Sequence, residues 1–114
     1  MNHEKLHCYG LLLETAKMLP SLIHSIPKGN KWLEDQMKRA LSSAMFNLAE
    51  GNGRQTTPDR NRFFDMSVAS IDEFKAQLNW MFVFGYIVAN QEAELLNKLT
   101  YASAMIRKLK KSVN

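Results

Sequence analysis

A chain of 114 residues has the size of one ordinary domain and can bury a core without disulfides or metals, so a single domain over 1–114 is expected. Hydrophobic residues make up 46% and charged residues 23%, a balance that excludes a disordered or fibrous chain. The net charge of +4, from 15 basic against 11 acidic residues, permits attraction to a polyanion without requiring one. The lone Cys8 can make neither an internal disulfide nor a thiolate zinc cluster and suits a reducing compartment. The N-terminus is polar with no apolar run behind it, and Trp80 to Ala89 is too short to span a bilayer, so the expected location is cytoplasmic, with no membrane partner.

Four segments carry helical periodicity, and none shows sustained strand alternation, which predicts an all-α fold. The first helix is expected from about Glu4 to Ser25, with Leu6, Tyr9, Leu13, Ala16, Leu19 or Pro20, and Ile23 as its apolar stripe. Pro20 removes a backbone donor there, predicting a kink or an early stop near Leu19. After a turn at Ile26 to Asn30, the second helix runs from Lys31 to about Asn52, with Leu33, Met37, Ala40 or Leu41, Ala44 and Leu48 on one face. Its other side carries Ser42, Met45, Phe46 and Ala49, and no charge falls between Arg39 and Glu50. One apolar stripe suffices in a monomeric bundle, so these four residues are expected at a subunit interface.

The third helix is expected to start with Thr57 as N-cap and Pro58 at its first position, and to end near Phe84 before Gly85. Its core stripe is Phe64, Ser67, Ile71, Phe74, Leu78 and Met81 or Phe82. Asn90 is a candidate N-cap for the fourth helix, in which Leu95, Leu99, Ala102, Ile106, Leu109 and Val113 repeat at four, three, four, three, four. Short connections make consecutive helices antiparallel, giving an up-down-up-down four-helix bundle.

Catalytic chemistry finds little support. Glu4-x-x-His7 matches half of a di-iron signature, but a second such motif is absent and Ser21 stands where His24 would need its glutamate. No metal and no cofactor is therefore expected. Cys8 and the three histidines share the first helix without a nucleophile elbow, and the Arg-x4-His arrangement of some helical RNA-cleaving domains does not occur. The chain reads as non-enzymatic.

Asn47-Leu48-Ala49-Glu50-Gly51-Asn52-Gly53-Arg54 is the most informative segment. Asn47, Glu50 and Arg54 lie three and four apart, with Glu50 and Arg54 spaced for an ion pair. Gly51 and Gly53 permit positive backbone dihedrals that would end the helix. Asn47 and Glu50 either hydrogen-bond loop backbone and fix the corner or meet a ligand. Arg54, Arg60 and Arg62, joined by the Lys28 and Lys31 turn, are expected to line one end of the bundle. Arg107, Lys108, Lys110 and Lys111 complement the dipole of the last helix and are further candidates for a polyanion.

This segment resembles the Ser-Asn-Ile-Ala-Glu-Gly-x-Gly-Arg motif of the small four-helix-bundle family encoded within intervening sequences of 23S ribosomal RNA genes. Phe63, Ser70, Ile71, Glu73, Gln77, Leu78, Gly85, Tyr86 and Ile87 resemble that family's second block, while Met45-Phe46 replaces its usual Pro-Ser. The resemblance implies motif positions at Asn47, Glu50, Gly51, Arg54, Glu73 and Gln77, none with a catalytic role, and a homopentamer. It extends to the accessory protein of diversity-generating retroelements, a basic pentamer that binds nucleic acid and a reverse transcriptase. The resulting expectation is a homo-oligomer that binds RNA or DNA, or a protein partner such as a reverse transcriptase, through a basic surface. The alternative is a protein-interaction scaffold without nucleic acid.

Overall fold

The computed structural model describes residues 3–110, so the expectations for Lys111 and Val113 lie outside the described residues. Four helices follow in order: α1 (His3–His24), α2 (Lys31–Gly53), α3 (Thr57–Val83) and α4 (Ala89–Lys110). Each packs on its chain neighbours, and α1 also packs on α4, so the four close an antiparallel square with no diagonal pair in contact. The bundle measures 46 × 24 × 19 Å.

Three of the four core stripes fall where the periodicity puts them. Leu33, Met37, Ala40, Leu41, Ala44 and Leu48 of α2 are buried, as are Phe64, Ser67, Ile71, Phe74, Leu78 and Met81 of α3. Leu95, Leu99, Ala102, Ile106 and Leu109 complete the seam from α4. Helix α1 departs from expectation. Its core side is Cys8, Leu12, Thr15 and Leu22, whereas Leu6 and Leu13 are exposed and Tyr9, Ala16 and Ile23 only half-buried. Two apolar stripes run along this helix, and the expected one lies at the edge of the core, with Tyr9 and Ala16 packed against it and Leu6, Leu13 and Pro20 exposed.

The helix ends also differ in detail. Pro20 lies inside α1, which runs on to His24 without stopping. Gly51 and Gly53 are both helical and neither has a positive φ. Gly51 is required for another reason: a Cβ there would lie 2.6 Å from the Phe64 ring and 3.2 Å from the Arg60 carbonyl. The glycine lets α3 cross close to α2. Gly85, in contrast, has φ 75°, and with Gly85 N bonded to Phe82 O and Tyr86 N to Met81 O it closes α3 in a Schellman motif. Thr56, not Thr57, is the N-cap of α3. Helix α4 starts at Ala89, before Asn90, because the Gln91 side chain reaches back to accept the Val88 N–H at 2.9 Å.

Candidate nucleic-acid interface

The antiparallel order decides which charges can act together. The N-termini of α1 and α3 and the C-termini of α2 and α4 share one end, bringing Arg54, Arg60 and Arg62 together with Arg107, Lys108 and Lys110. Lys28 and Lys31 belong to the opposite end, a helix of 23 residues away, or roughly 34 Å at 1.5 Å per residue. The expectation that they line the same end as Arg54 is thereby corrected. The same end carries Glu34, Asp35, Glu92 and Glu94, and Lys31 pairs with Asp35 at 3.2 Å. The molecule's positive excess is concentrated at the other end.

Within that basic end the arginines are not equivalent. Arg54 joins Glu50 at 3.0 Å and Asp59 at 3.4 Å, and Arg62 takes the second carboxylate oxygen of Asp59 at 3.0 Å. Both guanidiniums lie over the Phe63 ring, at 4.6 and 4.4 Å from its centroid. Such contacts add roughly 0.5–1 kcal/mol at an exposed site and hold two cations side by side. Arg60 is only 5% exposed. It continues the Phe64, Ser67, Ile71 stripe at a spacing of four, three, four and faces α2, which withdraws it from the candidate surface contacts. On the other side of this end Lys110 pairs with Asp65 and Lys108 with Glu4 at 3.6 Å, while Arg107 is exposed.

The motif residues collect along the seam between α2 and α3. Arg39 bridges Gln36 and Glu73. Ser70 donates to the Ser43 hydroxyl at 2.8 Å, and the Asn47 amide donates to Ser43 at 2.9 Å (backbone carbonyl) and 3.1 Å (hydroxyl). Deeper in, the Ser67 hydroxyl donates to the Ala44 carbonyl at 2.7 Å. Gln77 is buried on the same seam. Asn47 thus bonds within its own helix and Glu50 to the side chain of Arg54 just past the helix end, and neither contact is to loop backbone. The seam reads as a polar joint fixing the register of α2 on α3.

Of the expected interface residues, Phe46 is 65% exposed and Ala49 is also exposed, but Met45 is turned inward at 8%. Met45 lies against the core, so the outward face of α2 is narrower than expected. It is extended instead by α1. A groove of about 230 Å³ lined by Ala16, Leu19, Lys38, Leu41, Ser42, Met45 and Phe46 separates the two helices, and a second, of about 390 Å³, continues it to Pro20 and Ile23.

At the end that carries Lys28 and Lys31, Trp32 of α2 joins Trp80, Phe84 and Tyr86 in one aromatic cluster. Trp32 packs edge-on to Trp80 at 5.6 Å, Trp80 lies 4.5 Å from Phe84, and Phe84 is 6.0 Å from Tyr86. The signal available was the pairing of the first turn of α2 with the last turns of α3, which any antiparallel hairpin imposes.

Catalytic geometry is sparse. Burial pushes the Cys8 thiol up to about 12, and it donates weakly to the Ala102 carbonyl at 3.5 Å, so it is held as a neutral thiol. His7 packs edge-to-face on Tyr101, and Glu4 is drawn to Lys108. Among the described residues no group of three or more His, Cys, Asp or Glu is placed to hold a metal ion. No helix among them is long and apolar enough to cross a membrane.

These features define a small antiparallel four-helix bundle with one basic end and a polar joint between its second and third helices. The chain belongs to the 23S rRNA-intervening sequence protein family, whose model matches residues 4–108. A crystal structure of a protein of unknown function from the S23 ribosomal protein family of Bacteroides thetaiotaomicron has the same fold, with a TM-score of 0.84. The two are 18% identical, and the alignment covers 96% of this chain and 99% of that one. No curated protein matches the chain.

Proposed function

We propose that the chain is a non-enzymatic, homo-oligomeric bundle that binds RNA or DNA through its basic end. The observation that carries this reading is the segregation of charge. Arg54, Arg62, Arg107, Lys108 and Lys110 gather at one end of an elongated molecule, where they outnumber Glu4, Glu50, Asp59 and Asp65, whereas Lys28 and Lys31 at the other end are outnumbered by Glu34, Asp35, Glu92 and Glu94. Assembly is supported by the apolar outer stripe of α1 beside Phe46 and Ala49 of α2. One long face of a 46 × 24 × 19 Å body offers roughly 900 Å², near the roughly 800 Å² per partner of a stable interface. Side-by-side association along that face would repeat the basic end around the assembly, in the ring of five that the family resemblance implies.

Fluorescence anisotropy of labelled RNA at rising salt tests the binding. With about four phosphates neutralised on a single strand, affinity should fall roughly fiftyfold between 50 and 200 mM salt. Binding indifferent to salt, or none at the lower concentration, would overturn the electrostatic reading.

A second reading, a protein-interaction scaffold, is favoured by Trp32, Trp80 and Phe84, which are 51%, 44% and 53% exposed in one contiguous cluster. Clustered exposed tryptophans are the composition of a protein-binding hot spot. Capture of a partner that survives removal of the basic-end charges but not of Trp80 would decide for this reading.

A further inference from the structure

On the α1/α4 side of the basic end the surface carries a hollow of about 280 Å³ lined by Glu4, Tyr101, Ala104, Met105 and Lys108. Its form follows from α4. Tyr101, Ala104 and Lys108 are spaced by three and four and stand in one row, and the methyl of Ala104 leaves a gap between the ring and the ammonium. Met105, half-buried, lies beside the row as an adaptable apolar floor. Tyr101 is 57% exposed, and from α1 the His7 ring meets it edge-to-face at 5.9 Å, so the orientation of the phenol ring is set by a neighbour. The hollow is smaller than the roughly 300–1,000 Å³ of sites for drug-sized ligands.

We infer that this hollow takes one unpaired base of a single-stranded nucleic acid, stacked against the Tyr101 ring, with the adjoining phosphate on Lys108. The inference rests on the basic-end reading and specifies its ligand as unpaired strand. Three features converge on that chemistry. An exposed, oriented aromatic ring is the element on which single strands stack. The Lys108 side chain, 73% exposed, stands at the rim, and Arg107 precedes it on the last turn of the helix. The Glu4 carboxylate, 3.6 Å from the Lys108 ammonium, supplies an acceptor for a base amino group once the phosphate has drawn the lysine away. A base held inside a duplex is stacked on both faces and cannot enter, so the hollow distinguishes single from double strands where the surrounding cations do not.

The test compares a fluorescein-labelled single-stranded RNA of roughly twelve nucleotides with its duplex, by anisotropy at about 100 mM salt. Wild-type protein, Tyr101→Ala and Tyr101→Phe are compared after circular dichroism has shown equal helix content. Tyr101→Ala should weaken single-strand binding by about tenfold and leave duplex binding within about twofold, and Tyr101→Phe, which keeps the ring, should match wild type. The inference alone falls if wild type binds both forms and Tyr101→Ala binds the single strand undiminished, loses both equally, or is matched by Tyr101→Phe. If wild type binds neither form, the basic-end reading falls and takes the inference with it.

Discussion

Gly51 and Gly53 sit two residues apart in the same last turns of α2, yet they answer to different constraints. At Gly51 a Cβ would press on Phe64 at 2.6 Å, whereas at Gly53 it would meet nothing within 4 Å. Alanine is the better helix former by roughly 1 kcal/mol. Gly53→Ala should therefore stabilise the fold by about 0.4–1 kcal/mol. Gly51→Ala should lose about 1–3 kcal/mol as the ring and the α3 backbone shift to admit it. Urea unfolding of the pair measures both, and equal effects would show that backbone freedom, not the approach of α3, is what Gly51 provides. Cys8 gives a second residue-scale expectation. Burial pushes its thiol up to about 12 from an ordinary value of 9.0, so above pH 9 the unfolded chain releases a proton that the native state keeps. The contribution is whole below pH 9 and declines by roughly 1.4 kcal/mol per pH unit as pH rises from 9 towards 12. Chemical denaturation of wild type and Cys8→Ala at pH 8 and pH 10 isolates that slope, which the variant should lack.

At the scale of helices, the sequence discloses α2, α3 and α4 well because each has one apolar stripe unambiguous enough to name its core. Helix α1 misleads because Leu6, Tyr9, Leu13, Ala16, Pro20 and Ile23 make a stripe as regular as any in the chain and lie at the edge of the core, with Leu6, Leu13 and Pro20 exposed, while its core row includes Cys8 and Thr15. Periodicity reveals that a face is apolar, not which surface covers it. Arg60 was concealed by its charge: its register with Phe64 and Ser67 is that of a core residue, and 5% exposure follows from the register. The polar joint was half legible. The spacing of Asn47, Glu50 and Arg54 is visible in the sequence, as is the fourth-residue step from Asn47 back to Ser43, but the pairing of Arg54 with Asp59 and the bridge of Ser43 to Ser70 depend on how two antiparallel helices meet. The outward pair of stripes yields its own prediction. Phe46 projects into solvent from α2, so Phe46→Asp should change subunit stability by no more than about 0.5 kcal/mol. If the α1/α2 face is covered by another copy, the same substitution should dissociate the assembly, read as a fall in mass by size-exclusion chromatography with light scattering. An unchanged mass would place the contact elsewhere on the bundle.

For the whole molecule, the consequence of the antiparallel order is that basic residues adjacent in any list can be a bundle length apart. Lys31 and Arg54 both flank α2 yet lie at opposite ends of the bundle, whereas Arg62 and Arg107, forty-five positions apart in the chain, occupy the same end. This arrangement separates a diffuse charge effect from a localised one. If phosphates are held at the basic end, each cation removed there should lower the slope of log affinity against log salt by about 0.7–0.9, so Arg62→Gln with Arg107→Gln should flatten it by roughly 1.4–1.8. Lys28→Gln with Lys31→Gln removes the same formal charge from the far end and should leave the slope within error of wild type. The paired variants match in net charge, so long-range attraction is nearly equal between them, and the Debye length of roughly 10 Å at 0.1 M salt keeps the far lysines from acting across the bundle. Equal flattening by both pairs would mean that the whole surface attracts the strand without a preferred end. Flattening by the lysine pair alone would move the site to the end where Trp32, Trp80 and Phe84 are exposed.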